Sequence, residues 1–328
     1  GDSDLELTKR SKKMNNLQKG KNTVYFVSDG KKLEGLLYIP DDYKEGEKRP
    51  GMVITRPASG VKEQTAGLYA KEFSKKGYIT LAFDPKGYGG SEGIPQMEDP
   101  YSIISDNKNA FAYLQSLPQV DAEKIISAGI CMGAGHAAAA SSDDPRVKAT
   151  VAISPYLTSQ IDYPKAFGGE TIVRILMGIS DPIINFFGLL RIYFFIPIVP
   201  LRRWMELIPA TETQVGMKQY YGFDNKPGTV PNWQNRGNFY HASHIMTGRY
   251  NPFDYIKRFV NKPFFMAYAD GGYSTDKIQE FYDSVPANNK DLLVCQNSTH
   301  FDLYYKPEFV GPIVERVSNF LEENNLNP

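Results

Sequence analysis

The chain has 328 residues, enough to bury a large core as one α/β domain or as about two smaller ones. Hydrophobic residues make up 41% and charged residues 23%, an ordinary globular balance, and 37 Lys plus Arg offset 37 Asp plus Glu. A formal charge of zero argues against a phosphate-binding surface, so no nucleic-acid partner is expected, and two cysteines exclude a disulfide framework.

The opening residues 1–21, "GDSDLELTKRSKKMNNLQKGK", are polar and predict a flexible arm. The chain begins at Gly1 without methionine and carries no apolar leader. A trimmed N-terminus is expected, either from an exported protein whose signal was removed or from a cytoplasmic one. From Asn22 strand and helix patterns alternate. "TVYFVSDG" and "KKLEGLLYIP" predict a hairpin turning at Asp29-Gly30. "GMVITRP" predicts a buried strand, "EQTAGLYAKEFSKKG" a helix stopped by Gly77, and "YITLAFD" a second buried strand. "SIISDNKNAFAYLQSLP" follows as a helix, "KIISAGI" as a third buried strand, and Gly135 to Ser142 as an alanine-rich helix. "VKATVAISPY" is a fourth buried strand. The rhythm stops near Leu157 and resumes with strand "KPFFMAYAD", helix "TDKIQEFYDSV", strand "DLLVCQN" and helix "PIVERVSNFLEEN".

Short apolar strands separated by helices imply an α/β fold, a mostly parallel sheet covered by helices on both faces. The core is expected over residues 22–157 and 262–328. Residues 158–261 are expected to form a mainly helical cap inserted on one side of the sheet. Within it, Pro182 to Trp204 reads "PIINFFGLLRIYFFIPIVPLRRW". Arg191, Pro197 and Pro200 interrupt it as a membrane span. Two readings stay open, a buried or lid helix and an apolar wall that meets a greasy substrate or a membrane.

Between the third buried strand and its helix stands "GICMG", Gly129 to Gly133. A side chain thrust out at a strand-to-helix turn needs strained backbone and neighbours without bulk, which two glycines supply. The free N–H groups at the start of the next helix favour a thiolate, and that of Met132 can serve an oxyanion. This is the nucleophile elbow G-x-S-x-G with Cys131 in place of serine. The competing reading makes Cys131 an apolar filler at a close strand–helix crossing. Cys295 lies inside a strand pattern and is expected in the core.

A nucleophile needs a base, and "CQNSTHFDLYY" puts His300 just after the last apolar strand. His136 is on the helix leaving the elbow and should point away. The third member should follow "PFFMAYA", where Asp270 is the first carboxylate and Asp276 the next. A second oxyanion donor is expected from the loop after "GMVITRP", among Ala58, Ser59 and Gly60. His241 and His244 lie three apart, but no acidic or cysteine ligand follows at motif spacing, so no metal is expected. "GYGGSEG" lacks dinucleotide-binding spacing, so no redox cofactor is expected either.

Four stretches, "RPASGVKEQTAGLYAKEFSKKGYITLAFDPKGYGGSEG", "VDAEKIISAGICMGAGHAAAA", "YYGFDNKPGTVPNWQNRGNFY" and "THFDLYY", resemble the dienelactone hydrolase-like branch of the α/β-hydrolases. The resemblance implies an α/β-hydrolase fold with Cys131 as nucleophile and His300 as base. Two departures stand out. Arg56 occupies a place where the family often has histidine, and Gly271-Gly272 stand where the usual acid would fall, so Asp270 is the candidate orienter. Lys62 and Glu63 match the family's "KEQ", either as an ion pair pinning the oxyanion loop or as substrate contacts.

The expected activity is hydrolysis of an ester, lactone or thioester of a small acyl substrate, through an acyl-cysteine. Tyr220, Tyr221, Trp233 and Tyr240 are candidates to line the pocket or to pack the cap. Acyl transfer, a non-catalytic binding role and a cysteine peptidase are the alternatives.

Overall fold

The computed structural model describes residues 17–157, 250–272 and 275–328, with 195–197, 238–240 and Thr247 between them. β1 (Gly20–Ser28) and β2 (Lys31–Ile39) form the expected antiparallel hairpin, turning through positive φ at Asp29 and Gly30. Then come β3 (Arg49–Thr55), α1 (Thr65–Lys75), β4 (Ile79–Phe83), α2 (Pro100–Gln115), β5 (Val120–Ile130), α3 (Met132–Ser141) and β6 (Val147–Ile153). The strand pair β7 (Phe195–Pro197) and β8 (Asn238–Tyr240) precedes α4 (Pro252–Ile256) and β9 (Phe264–Gly271). The chain closes with α5 (Thr275–Ser284), β10 (Lys290–Thr299), α6 (Asp302–Tyr305) and α7 (Pro307–Glu323).

Eight strands make one open sheet in the order β1-β2-β4-β3-β5-β6-β9-β10. Only the β1–β2 and β2–β4 pairs are antiparallel; every pair from β4 to β10 is parallel. β3 and β4, most of β6 and the second half of β5 are buried on both sides, because both sides of the sheet are covered. On β3, Met52 and Ile54 face a cluster with Tyr69 and Phe73 of α1 and Ile313, Val317 and Phe320 of α7. Val53, between them, faces Phe111 and Leu114 of α2 and Ala139 and Ala140 of α3. The alanine run of α3 has no polar face because the whole helix is buried, with Ala134 and Ala138 packed against Ile256, Phe264 and Phe281.

Two helices depart from the sequence reading. α7 starts at Pro307 rather than Pro312: a proline fits the first helical position, and Pro312 removes one further N–H without ending the helix. α6 is a single turn after His300, too short for periodicity to announce.

β6 pairs directly with β9, so the expected insertion falls between two adjacent parallel strands. The cap expected over 158–261 lies mostly outside the described residues, as do His241, His244 and most of Pro182 to Trp204. Its described parts include the antiparallel β7–β8 ribbon as well as α4. Among the described residues no helix is long and apolar enough to cross a membrane.

Candidate active site

The loops after β3, β5, β6, β9 and β10 leave from the carboxyl ends of parallel strands, where open α/β sheets bind ligands. Cys131 stands alone between β5 and α3, with φ 60° and ψ −125°. Such a conformation costs a non-glycine residue on the order of 1–3 kcal/mol. The turn is pinned by Cys131 N–H donating to Ile153 O at 3.1 Å and Ala134 N–H donating to Cys131 O at 3.0 Å. Both glycines are sterically required. A Cβ on Gly129 would sit 2.1 Å from Gly133 O, and one on Gly133 would sit 2.4 Å from Arg56 O. The elbow therefore forms only because α3 crosses the backbone of β5 and of the β3 loop at glycine distance.

The thiol has three hydrogen-bonding neighbours: the Tyr304 hydroxyl and the N–H groups of Met132 and Ala58. Cys131 is nonetheless buried, and burial pushes its thiol up to about 11, because the stabilisation these neighbours offer a thiolate offsets only part of the desolvation. This corrects the expectation that the helix N-terminus leaves a thiolate at rest. The start of α3 supplies donors, but the site is too dry for them to ionise the sulfur.

His300 follows β10 and is buried. Its Nδ1 lies 3.1 Å from Ser154 Oγ, and its Nε2 lies 3.0 Å from the Tyr304 hydroxyl. Ser154 Oγ also donates to His300 O at 2.8 Å. Ser154 stands just past the end of β6, with φ 42°, and its N–H donates to Ala267 O of β9 at 2.7 Å. Tyr304 is held on α6 by its own carbonyl, which accepts from Thr65 Oγ1 at 2.7 Å, and by Leu303 O, which accepts from the Tyr69 hydroxyl at 2.7 Å. Burial pushes the His300 imidazole down to about 3, so it is neutral at rest.

Asp270 is not placed as the orienter the sequence suggested. Its exposed carboxylate accepts from the N–H groups of Gly271, Asn297 and Ser298 at 2.8, 2.9 and 3.1 Å, and those of Asn297 and Ser298 hold it below the usual carboxylate range. These donors are free because the β9–β10 register shifts between Cys295 and Thr299. Asp270 caps that irregularity, and Ser154 faces the imidazole instead. Asp276 is exposed in the first turn of α5.

Of the three proposed loop donors, Ala58 N–H is hydrogen-bonded to the sulfur. Ser59 N–H donates to Glu98 Oε2 at 3.0 Å, and Gly60 N–H donates to Pro57 O at 3.0 Å, so both are already engaged. Glu98, which sequence reasoning missed, also takes Arg56 Nη1 at 2.6 Å in a fully buried pair. Burial works to raise its pKa, and the Arg56 charge and hydrogen bond more than offset this, holding the carboxyl below its usual value. The Arg56 guanidinium lies over the Tyr88 ring at 4.2 Å. Lys62 serves the fold, as its buried Nζ meets Asp84, Glu63 and Glu34 at 2.8, 2.8 and 2.7 Å. Tyr220, Tyr221 and Trp233 lie outside the described residues, and Tyr240 appears only as backbone paired with Phe195. Among the described residues no cluster of His, Cys, Asp and Glu could hold a metal ion.

His136 is buried against Tyr250, with ring centroids 5.3 Å apart, and neither ring nitrogen has a hydrogen-bond partner among the described residues. Burial pushes its imidazole down to about 4. An unfolded histidine binds a proton below about 6.5, whereas these two stay neutral down to about 4 and about 3. The unfolded state therefore holds more protons in that window. The stabilisation is complete above about pH 6.5 and is lost as pH falls towards the folded values. From pH 7.5 to 5 each histidine should cost about 2 kcal/mol, read as a lower urea midpoint at unchanged slope. About half of the drop should vanish in His136→Leu.

Comparison with known proteins agrees with this frame. Residues 33–189 match the model of the dienelactone hydrolase family. The crystal structure of protein PA2218 from Pseudomonas aeruginosa superposes with a TM-score of 0.79 at 26% identity, covering 92% of this chain and 93% of that one. The α/β hydrolase GrgF from Penicillium sp. sh18 superposes with a TM-score of 0.72 at 20% identity, over 92% and 98% of the two chains. The thiohydrolase aneE of Aspergillus aculeatus is 34% identical over 43% of this chain and 44% of its own. Over residues 33–189 the chain is similar to the dienelactone hydrolase family, and its fold is that of the α/β-hydrolases.

Proposed function

We propose that the protein cleaves ester, lactone or thioester bonds of small acyl substrates, with Cys131 as the nucleophile and an acyl-cysteine as the intermediate. The observation that carries this reading is the strained Cys131 backbone, which presents the sulfur to two N–H donors. A core-filling cysteine needs neither the positive φ nor the donors. The sulfur attacks the carbonyl carbon as its proton passes towards His300. The carbonyl oxygen becomes an oxyanion one bond away from the sulfur, within the field of Met132 N–H and Ala58 N–H. The C–O or C–S bond to the leaving group then breaks, and the leaving group takes the proton from His300. Water, deprotonated by His300, attacks the acyl-thioester and restores the thiol.

An alcohol or amine in place of water gives acyl transfer through the same intermediate. The partial match to a thiohydrolase supports testing thioesters beside esters. The test is to mix the protein with p-nitrophenyl esters and N-acetylcysteamine thioesters of increasing chain length, quench in acid, and map the acyl mass by peptide mass spectrometry. Expected is turnover with the acyl group on the Cys131 peptide and none on the Cys295 peptide. Turnover with the acyl group elsewhere would reject Cys131 as nucleophile, and no turnover or adduct across the panel would favour a binding role.

A further inference from the structure

The three contacts at His300, from Ser154 Oγ to Nδ1 and to the carbonyl and from the Tyr304 hydroxyl to Nε2, are all satisfied together by one tautomer. A carbonyl oxygen only accepts, so the single hydroxyl proton of Ser154 is given to His300 O. Ser154 Oγ must then accept at its second contact, which places the imidazole proton on Nδ1. Nε2 is left as a lone pair and accepts from the Tyr304 hydroxyl at 3.0 Å. The Tyr304 hydroxyl is also in hydrogen-bond contact with the Cys131 sulfur and stabilises it when ionised; while its own proton is committed to Nε2, it can meet the neutral thiol only as an acceptor of S–H. The chain of bonds runs Cys131 S–H to Tyr304 O–H to His300 Nε2, and His300 Nδ1–H to Ser154 Oγ.

From this geometry we infer that the Cys131 proton reaches His300 through the Tyr304 hydroxyl, with Ser154 rather than a carboxylate holding the imidazole tautomer. The inference rests on Cys131 being the nucleophile. When the sulfur attacks, the S–H bond breaks and its proton joins the Tyr304 oxygen. The Tyr304 proton moves in the same step to Nε2. Tyrosine ends as it began, a neutral phenol, and its new O–H points back at the sulfur. The imidazole becomes imidazolium and carries the proton to the leaving group. No net charge is left on tyrosine, so the relay suits a dry site in which neither the thiol nor the imidazole is ionised at rest. Tyr304 is a catalytic residue in this scheme, since its oxygen touches the reacting sulfur. Ser154 is a positioning residue.

The test is single-turnover acylation by a p-nitrophenyl ester, with the Cys131 adduct followed by mass, in wild type, Tyr304→Phe and Ser154→Ala. Tyr304→Phe should slow acylation by about 10²- to 10⁴-fold, with substrate affinity changed less than about threefold. The wild-type rate in H₂O–D₂O mixtures should curve with deuterium fraction, because two protons move together. The residual Tyr304→Phe rate should fall on a straight line. Ser154→Ala removes no proton from the path, so it should slow acylation about tenfold and keep the curved dependence. If Tyr304→Phe does not fold, 3-fluorotyrosine at position 304 replaces it and should alter the acylation rate and its pH profile. Acylation of Tyr304→Phe at the wild-type rate, an unaltered rate with 3-fluorotyrosine, or a linear wild-type dependence would mean that His300 takes the proton directly, and the relay falls. A wild type that builds no adduct on Cys131 overturns the nucleophile reading and the relay with it.

Discussion

Cys131→Ala is expected to lower kcat/KM on any ester or thioester substrate by more than about a thousandfold, a loss of about 4 kcal/mol of transition-state stabilisation. Removing the nucleophile of a catalytic group that works as a unit leaves only binding and the oxyanion donors, which act poorly without it. The fold should survive, because alanine is no larger than cysteine and the strain belongs to the backbone at φ 60°. The decisive control is therefore an unchanged circular-dichroism spectrum beside the lost turnover. Alkylation is a weaker readout. The thiols of Cys131 and Cys295 are both pushed up to about 11 by burial, so about one sulfur in 10⁴ would be ionised at pH 7. Iodoacetamide should label both slowly and barely distinguish them. On the proposed mechanism the nucleophile is made during attack by proton transfer, so an acylating substrate is the probe that reports it. Retention of full activity by Cys131→Ala would transfer the chemistry to another residue.

The sheet was legible because its signal is repeated. Most parallel strands are short apolar runs followed by a helix: α1, α2 and α5 each carry one greasy side, and α3 is buried all round. The elbow was legible for a different reason, since Gly129 and Gly133 are the only residues that the crossing of α3 over Arg56 O and Gly133 O leaves room for. The side chain that faces His300 in the candidate site was not. Which side chain faces His300 depends on the register of three adjacent strands, and a shift in β10 that no local pattern encodes gives Asp270 another task. Ser154 reaches Nδ1 from the end of β6, whose sequence "ISPY" reads like any strand end. Tyr304 was closer to view, because it stands four residues after His300, and one helical turn brings such residues face to face. The turn itself was too short to predict. Electrostatics were half legible: the helix N-terminus at the cysteine can be read from sequence, but the burial that outweighs it cannot.

Glu98→Ala should be the most damaging substitution away from the reacting atoms. The pair it forms with Arg56 is fully buried, and deleting Glu98 leaves the Arg56 charge buried without this carboxylate. The expected loss is about 3–5 kcal/mol, seen as a fall in Tm on the order of 10 °C. Activity should fall with it in the fraction that remains folded. Ser59 N–H loses its acceptor, Ser59 holds φ 53°, and the preceding residue is Ala58, whose N–H faces the sulfur. A loop released at Ser59 no longer fixes that donor, and losing one oxyanion donor costs about 10²- to 10³-fold in kcat. A double-mutant cycle separates charge from loop geometry. Arg56→Met with Glu98→Met leaves no stranded charge, so it should cost less stability than the sum of the single changes, with a coupling of about 1–3 kcal/mol. Its kcat should stay low, because Ser59 N–H is still without Glu98 Oε2. Recovery of kcat along with stability in the double variant would mean that the loop is held by the β3 backbone and by the Lys62–Asp84 contact, and that Glu98 serves only to neutralise Arg56.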